Sequence, residues 1–316
     1  MDSNHTIPSE DCTLQTCTLA QAHFTYVPSL AGNAFFVGWF SLLIVLQVLL
    51  VIKYKIWGYF VAMSGGISLE ILGYIGRIQM SYNPFTMSPY LLYMICLTTG
   101  PAFLSAAVYL CLSRIVVVYG EKLSRFKPRT YTLFFITFDV ISLGLQGSGG
   151  GIAASADTQS SVDLGKNIML AGLDFQVVAT FLFMVACTDL MLRLRRFGVE
   201  AREPCHATMR NSWKFRAFLW GLAVATTCIF ARSVYRVAEL SEGFHGPLAN
   251  QQVTFMILEG AMIFVAAGSQ TFLHPGYCFN GSWETVNFSL RRSKKSRADE
   301  IVVFSEMKAL AETEYR

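Results

Sequence analysis

The sequence predicts an all-α, polytopic membrane protein: a bundle of seven transmembrane helices with the amino terminus outside and the carboxyl terminus in the cytoplasm. Of 316 residues, 53% are hydrophobic and only 15% are charged, whereas soluble domains carry about 25% charged residues. The apolar residues occur in blocks of about twenty or more, long enough to cross a hydrocarbon layer of roughly 30 Å as helix. Because backbone amides in lipid must be satisfied within their own segment, each block is predicted to be helical.

The seven blocks follow one another along the chain without a soluble domain between them. They cover residues 30–52, 56–78, 89–119, 130–155, 167–192, 213–236 and 251–273. The chain is therefore divided into an extracellular head, residues 1–29, a membrane domain, residues 30–273, and a basic cytoplasmic tail, residues 274–316. The head is polar and contains no Lys or Arg, which is unlike a cleavable signal peptide, so the first block is expected to be the insertion signal.

Lys and Arg alternate between the two sides of the predicted bundle. The first, third and fifth connections carry two, four and seven of these residues, and the tail after residue 273 carries seven. The head has none, and the fourth connection has only Lys166. Because cytoplasmic loops carry the excess of Lys and Arg, the odd-numbered connections and the tail are predicted to be cytoplasmic. This alternation requires an odd number of crossings.

Two features of the head fit an extracellular position. Asn4 begins an acceptor triplet for N-glycosylation, whereas similar triplets at Asn280 and Asn287 fall on the cytoplasmic side and are expected to stay unmodified. Cys12 and Cys17 can form a disulfide if the head is extracellular. Most other cysteines lie inside apolar blocks, where a cysteine behaves as a small hydrophobe.

The second block contains charged residues that a lipid-facing helix would not tolerate. Glu70, Tyr74 and Arg77 share one helical face, and Gly73 and Gly76 allow another backbone to approach closely. Because an ionised side chain in the bilayer costs several kcal/mol, this face is expected to look toward the interior of the bundle.

The fourth, fifth and seventh blocks add polar side chains to this interior. The fourth contains Asp139 and a glycine-rich run that begins after Gln146. Such a run is expected to loosen the helix, which is tolerated at membrane depth only against protein or a water-filled cavity. Close packing of the glycines against a neighbouring helix is the alternative. Asp174 and Gln176 in the fifth block and Glu259 in the seventh complete an acidic lining, suited to a cationic amine or to a proton relay.

The sixth block ends in a second charged face. Arg232, Arg236 and Glu239 share one side of the helix at its predicted outer end, near the membrane surface reached by the charged face of the second block. We favour an ion pair between Glu70 and Arg232 or Arg236, since unpaired charges at this depth are costly. Binding of a substrate head group by the same charges is the alternative.

Missing motifs disfavour several chemistries. There is no GxxxxGK[ST] phosphate-binding loop, so the chain is not expected to hydrolyse ATP, and uphill transport would draw on another gradient. No histidine lies deep in a block, and no Gly-x-Ser-x-Gly nucleophile turn occurs. We therefore expect no enzyme activity, no catalytic residues, no metal and no cofactor. The basic residues lie in short loops that set membrane orientation, so no nucleic-acid partner is expected.

Short motifs occur in a fixed order through the blocks. They are Tyr26-Val27-Pro28-Ser29 with Asn33; Glu70-x-x-Gly73-Tyr74-x-x-Arg77; Pro101-Ala102 with Tyr109 and Arg114; Asp139-x-x-Ser142 with Gln146-x-x-Gly149-Gly150; Gly172-Leu173-x-x-Gln176; Arg232-Ser233-Val234-Tyr235-Arg236-x-x-Glu239; and His274-Pro275-Gly276. In this order and spacing the chain resembles the fungal lipid-translocating exporter family, which is linked to aminocholesterol resistance and to export of sphingoid long-chain bases. The resemblance implies a seven-span protein that moves or senses amphipathic lipids.

One position departs from the pattern of that family. Similar members typically carry a Glu that opens the seventh span, a Tyr four residues later and an Asp three residues after that, whereas here Gln252, Met256 and Glu259 occupy these places. The resemblance therefore implies the membrane fold more directly than it implies the cationic lipid substrates proposed for the family.

These observations together predict a transporter or translocator of amphipathic lipid-like molecules, such as a sphingoid base, a sterol-like toxin or a hydrophobic metabolite. We expect it to lie in the plasma membrane and to contribute to export of such molecules or to resistance against them. Its expected partners are the bilayer and the lipid-like ligand. The alternative is a seven-helix lipid sensor or receptor that signals through the basic loop between Arg193 and Arg216; a lipid-modifying enzyme is disfavoured. The substrate path is expected to be lined by Glu70, Tyr74, Arg77, Asp139, Gln146, Asp174, Gln176, Arg232, Arg236, Glu239 and Glu259.

Overall fold

The computed structural model describes residues 26–120, 128–156, 158–196, 210–242 and 250–279, together with Cys17, Gly246 and Leu248. The glycosylation site predicted at Asn4, most of the basic loop between Arg193 and Arg216, and the tail after residue 279 lie outside these residues. Cys17 is disulfide-bonded, whereas Cys12, the partner considered for it, lies outside the described residues.

The described part of the chain is all-α and contains seven segments that are long and apolar enough to cross a membrane. The first six are α1 (Leu30–Tyr54), α2 (Trp57–Tyr82), α3 (Met87–Tyr119), α4 (Pro128–Ala154), α5 (Gln159–Arg196) and α6 (Trp213–Ser241). The seventh span is built from α7 (Gln252–Phe255), a π-helical turn (Met256–Ala261), α8 (Met262–Phe272) and α9 (Pro275–Cys278). The predicted seven-span helical fold is confirmed, and the protein is a multi-pass membrane protein.

Local signals in the sequence set several helix ends. The Ser29 hydroxyl accepts a hydrogen bond from the Gly32 amide at 3.3 Å and so caps the start of α1. The helix ends at Lys55, whose φ of 56° is left-handed. Gly120 ends α3 with a φ of 110°, a backbone conformation that favours glycine. The fifth helix begins at Gln159, earlier than the predicted start near residue 167. The hydrophobic pattern missed this start because the first turns of the helix are polar.

Helices that follow one another in sequence pack side by side, and the seventh span closes the bundle against α1 and α6. The third helix is the most buried of the seven and contacts α2, α4 and α6. Large apolar side chains on the outer faces are exposed, for example Leu49 and Ile52 on α1 and Trp220 on α6. In a bilayer these side chains contact hydrocarbon, so polar side chains are left to the interior.

The fourth helix runs unbroken through its glycine-rich part to Ala154, so the expectation that the glycines loosen it was wrong. A side-chain carbon added at Gly149 would lie 2.6 Å from the carbonyl oxygen of Gly165 on α5, which shows close contact of the two backbones. At Gly147 and Gly151 no atom lies within 4 Å of such a carbon. The run therefore serves close helix packing at Gly149, whereas Gly147 and Gly151 lie on the outer surface.

The packed bundle extends beyond the predicted end of the membrane domain at residue 273. Phe279 is fully buried, and its ring centroid lies 5.4 Å from that of Phe215 and 5.5 Å from that of Phe218 on α6. Gly276 packs so closely on Tyr54 that an added side-chain carbon would lie 2.4 Å from the tyrosine ring. Residues 274–279 therefore belong to the bundle rather than to the tail.

Candidate functional site

The charged face of α2 lies inside the bundle, as the sequence predicts. Glu70, Tyr74 and Arg77 are all fully buried. Gly73 and Gly76 bring α3 against this face: a side-chain carbon added at Gly76 would lie 2.9 Å from the Pro89 carbonyl oxygen. The ring of Tyr74 stacks on α1, with 4.9 Å between its centroid and that of Phe36. The face is therefore screened from lipid by α1 and α3.

Arg232, Arg236 and Glu239 are likewise buried on one face of α6, and Glu259 of the π-helical turn joins them. The Arg232 guanidinium forms an ion pair with the Glu259 carboxylate. Arg236 forms an ion pair with Glu239, 2.6 Å between Nη1 and Oε2, and its Nε lies 3.9 Å from Oε2 of Glu259. Ion pairs with two guanidinium groups thus hold the π-helical turn against α6.

Arg232 also donates a hydrogen bond to the backbone carbonyl oxygen of Leu97 on α3. The reason lies four residues further on, where Pro101 stands inside the helix. Proline has no backbone N–H, so the carbonyl group four residues before it lacks its usual partner within the helix. The Arg232 guanidinium takes that place, and a proline in mid-span thereby creates an acceptor for a buried cation.

Two further side chains of α3 hold Arg236. Its Nη2 donates to the Thr98 hydroxyl at 3.0 Å, and its Nη1 lies 3.4 Å from the Tyr93 hydroxyl oxygen. Together with Glu239 and Glu259, these contacts offset part of the cost of burying a cation.

Arg77 lies among aromatic side chains. Its Nη2 donates to the Tyr26 hydroxyl at 2.9 Å, and its Cζ lies 3.8 Å from the ring centroid of Phe255 and 5.0 Å from that of Tyr93. Guanidinium groups are attracted electrostatically to the faces of aromatic rings at these distances. Since Tyr93 also contacts Arg236, it connects the charged faces of α2 and α6, which were predicted to lie near one membrane surface.

Glu70 differs from the other two acids of this group. Neither of its carboxylate oxygens has a hydrogen-bond partner within the described part of the chain. The predicted ion pair between Glu70 and Arg232 or Arg236 was wrong, because both arginines pair with Glu259, and Arg236 also with Glu239. Glu70 instead lies against the backbone of α3, where a side-chain carbon at Gly100 would be 2.8 Å from its Oε1.

These six residues form what we call the charged cluster: Glu70, Arg77, Arg232, Arg236, Glu239 and Glu259. It contains three guanidinium groups and three carboxylates, each less than one-tenth exposed. With every group ionised the cluster is neutral overall, so its burial does not leave a net charge in the membrane. The unpartnered oxygens of Glu70 give the cluster acceptor capacity that its own residues do not use.

A second polar group lies between α4 and α5. The side-chain amide of Gln146 donates to the Ser142 hydroxyl at 2.6 Å and to Oε1 of Gln176 at 3.1 Å. The Ser142 hydroxyl in turn donates to the Gly172 carbonyl oxygen at 2.6 Å. The structure thus brings Gln146 and Gln176 together, in hydrogen bonds that join two helices rather than in an open path.

The two aspartates predicted for the interior behave differently. Asp139 is buried and faces the Tyr109 hydroxyl of α3, and its oxygens have no other hydrogen-bond partner among the described residues. Asp174 on α5 is exposed, so its assignment to the interior lining was wrong. One helical turn holds about 3.6 residues, so Gln176, two positions later, faces nearly the opposite side and is buried.

A largely apolar cavity of about 270 Å³ lies between α3, α5 and α6. Its lining includes Leu112, Tyr119, Met191 and Leu222, with Thr226 at its edge. Thr226 also lines a much smaller space beside Tyr109. Along α3, Leu112 of this cavity lies about 21 Å from Thr98, which contacts the charged cluster, so the cavity and the cluster occupy different levels of the bundle.

Several residues of the site were not singled out as path candidates from the sequence: Tyr26, Tyr93, Leu97, Thr98, Tyr109 and Phe255. The backbone contribution of Leu97 had a readable signal, because a proline in mid-span frees the carbonyl group four residues earlier. The others are ordinary aromatic or hydroxyl residues whose role depends on which helices become neighbours. Within the described residues, no three His, Cys, Asp or Glu side chains are grouped so that they could hold a metal ion.

Comparison with known proteins identifies relatives of most of the chain. Residues 63–282 match the family described as RTA1 like protein. The sphingoid long-chain base transporter RSB1 of Saccharomyces cerevisiae (strain Lalvin EC1118 / Prise de mousse) is 30% identical over 282 residues, which cover 81% of this chain and 74% of that protein. Protein RTM1 of Saccharomyces cerevisiae is 28% identical over 209 residues, 66% of this chain and 64% of that protein.

A third relative, protoporphyrin uptake protein 1 of Saccharomyces cerevisiae (strain ATCC 204508 / S288c), is 28% identical over 203 residues, 63% of each chain. No solved structure matches this chain. The family match covers most of the spans that carry the charged cluster, and the resemblance inferred from the motifs is confirmed. The chain belongs to the RTA1-like family of fungal membrane proteins, a family that includes lipid transporters.

Proposed function

We propose that this protein translocates an amphipathic lipid-like molecule across the plasma membrane and contributes to its export or to resistance against it. The observation that carries the proposal is Glu70, a fully buried carboxylate whose oxygens have no hydrogen-bond partner among the described residues. Ionisable groups within a membrane span mark substrate or ion pathways by default, because their burial is costly. Family membership supports the same reading.

The chemistry of the charged cluster favours a head group that donates hydrogen bonds. Arg232 and Arg236 are engaged by Glu259 and by α3, and among the cluster acids Glu70 has two oxygens without a hydrogen-bond partner in the described residues. An amino or hydroxyl group would satisfy it, and sphingoid bases, aminosterols and similar metabolites carry such groups. The apolar cavity between α3, α5 and α6 would accommodate part of the hydrocarbon body.

The proposal includes release of the molecule without covalent change. Arg232, Arg236, Glu239 and Glu259 are engaged in ion pairs with one another, and the sequence contains no Gly-x-Ser-x-Gly nucleophile turn. Mass spectrometry of lipids recovered after incubation with the purified protein tests this point, and a new covalent product would contradict it.

The decisive experiment is reconstitution of the protein into liposomes with a fluorescent long-chain base. We expect leaflet transfer faster than in empty vesicles, and a slower rate for Glu70→Gln at equal protein incorporation. Asp174→Asn, an acid-to-amide change at an exposed position of α5, is the matched control and is expected to transfer at the wild-type rate.

Transfer equal to that of empty vesicles, across long-chain bases, aminosterols and porphyrins, would overturn the proposed function. If Glu70→Gln transfers the lipid at the wild-type rate, the protein is still a translocator, but Glu70 does not lie on the substrate path. The two results are therefore distinguishable within one set of vesicles.

A further inference from the structure

Asp139 is a buried carboxyl group that lies outside the charged cluster. It is 4% exposed and stands near the middle of α4 (Pro128–Ala154). Apart from the Tyr109 hydroxyl, neither carboxyl oxygen has a hydrogen-bond partner in the part of the chain that the structure describes. A helix packing role would be served as well by an apolar side chain, so the presence of a carboxyl group here requires another explanation.

The groups around Asp139 are hydroxyl groups rather than cations. From α3, the Tyr109 hydroxyl faces it and is the titratable group in contact with it. Ser105 of α3 and Thr180 of α5 lie around the same tyrosine hydroxyl. The acid on α5, Asp174, is exposed on the outer surface. No ion pair of Asp139 is formed with any described Arg, Lys or His.

Energetics favour a neutral carboxyl group in this position. An ionised carboxylate without a cation or several donors is very costly in an apolar interior, whereas a neutral acid beside a hydroxyl group is tolerated. The space lined by Tyr109, Ser105, Thr180 and Thr226 has no room for a water-sized molecule. A carboxyl group that meets a hydroxyl group but no cation at this depth is suited to hold a proton.

We propose that Asp139 is a proton-binding site that couples lipid translocation to proton movement across the membrane. The proposal rests on the proposed function and supplies its energy source, since the sequence has no ATP-binding loop. A proton from one aqueous phase is held on a carboxyl oxygen of Asp139. When the carboxyl group is opened to the opposite phase, the proton leaves and the lipid moves. The Tyr109 hydroxyl can then donate to the ionised carboxylate.

A spectroscopic test examines proton binding without transport. Purified wild-type protein in lipid nanodiscs is expected to show, at neutral pH, the infrared carbonyl stretching band of a protonated carboxylic acid. Asp139→Asn should lose a component of that band, and Tyr109→Phe should shift the same component. Glu70→Gln is the control, because it removes a different buried carboxyl group. In this variant the band component assigned to Asp139 should remain. An unchanged band in both Asp139→Asn and Tyr109→Phe overturns the proposal.

A transport test examines the coupling. Liposomes with and without an imposed pH gradient are compared for transfer of a fluorescent long-chain base. Wild-type protein and Asp174→Asn are expected to respond to the gradient, whereas Asp139→Asn should lose that response. Gradient-dependent transfer by Asp139→Asn, or gradient-independent transfer by the wild type, overturns the coupling. Absence of any wild-type transfer instead refutes the proposed function and leaves the infrared result to decide whether Asp139 binds a proton.

Discussion

We expect the stability of the charged cluster to depend on Glu259. It pairs with Arg232 and lies 3.9 Å from Arg236, and all three side chains are almost completely buried. Removing one member of a buried ion pair leaves an uncompensated charge, which costs about 3–5 kcal/mol. We therefore expect Glu259→Gln to lower the unfolding temperature and the folded yield strongly, as measured by thermal unfolding in detergent.

The ion pair between Arg193 and Asp189 on α5 is the control for this prediction. Its atoms are 2.9 Å apart, but the two side chains are 30% and 34% exposed. Exposed pairs contribute about 0–1 kcal/mol, so Asp189→Asn should leave the unfolding temperature nearly unchanged. Equal losses for Glu259→Gln and Asp189→Asn would contradict the assignment of Glu259 as a structural charge.

For Glu70 we expect the opposite result, in which a substitution affects transport more than stability. Because its oxygens have no hydrogen-bond partner among the described residues, Glu70→Gln removes no ion pair and should lower the unfolding temperature less than Glu259→Gln does. Transfer of a fluorescent long-chain base should nevertheless fall. Arg236→Gln, which loses contacts with Glu239 and Thr98, should lose folded protein. A Glu70→Gln protein as unstable as Arg236→Gln would argue for a structural role of Glu70.

The contact between α4 and α5 gives a prediction for a pair of helices. A methyl group at Gly149 would lie 2.5 Å from the Met169 backbone nitrogen, where no flexible side chain can move away. Such overpacking costs typically about 1–3 kcal/mol. We expect Gly149→Ala to lower the unfolding temperature in detergent.

Gly147→Ala is the matched change two residues earlier on the same helix. Nothing lies within 4 Å of the added carbon, and alanine favours helix over glycine by about 1 kcal/mol. The protein should therefore be unchanged or slightly stabilised. A loss equal to that of Gly149→Ala would indicate that the whole glycine run, rather than one contact, is needed.

The π-helical turn Met256–Ala261 shows how an element can be shaped for a site. A π-helical turn contains an extra residue relative to an α-helix, and such turns occur frequently at functional sites. Glu259 lies within this turn, and Gly260 follows it so close to Phe36 that an added side-chain carbon would be 2.4 Å from the ring. The turn thus permits close contact with α1 while Glu259 pairs with α6.

The orientation of the whole molecule follows from charge distribution and remains a prediction. With the head outside, Asn4 should be glycosylated, whereas Asn280 and Asn287 should not. Treatment with an endoglycosidase should increase the gel mobility of the wild type and leave Asn4→Gln unchanged. Glycan on either carboxyl-terminal asparagine would place the tail outside and overturn the orientation.

Composition and hydrophobic patterning by themselves determined the seven helices, because the bilayer requires apolar segments of fixed length with internally satisfied backbones. They also determined that the charged faces of α2 and α6 look inward, since charges facing lipid are too costly. Both conclusions depend on properties of single helices, which is why a sequence without its fold contains them.

Only the tertiary structure decided which buried charges are partners. Arg232 had acids on two other spans within plausible reach, and its pairing with Glu259 depends on the π-helical turn and on the carbonyl group freed by Pro101. Asp174 lies on the exposed side of α5 and Gln176 on its buried side. The sequence alone did not show which of these two polar residues faces the interior. Helix rotation and neighbour choice are set by packing between distant segments, and no local pattern in the chain contains that information.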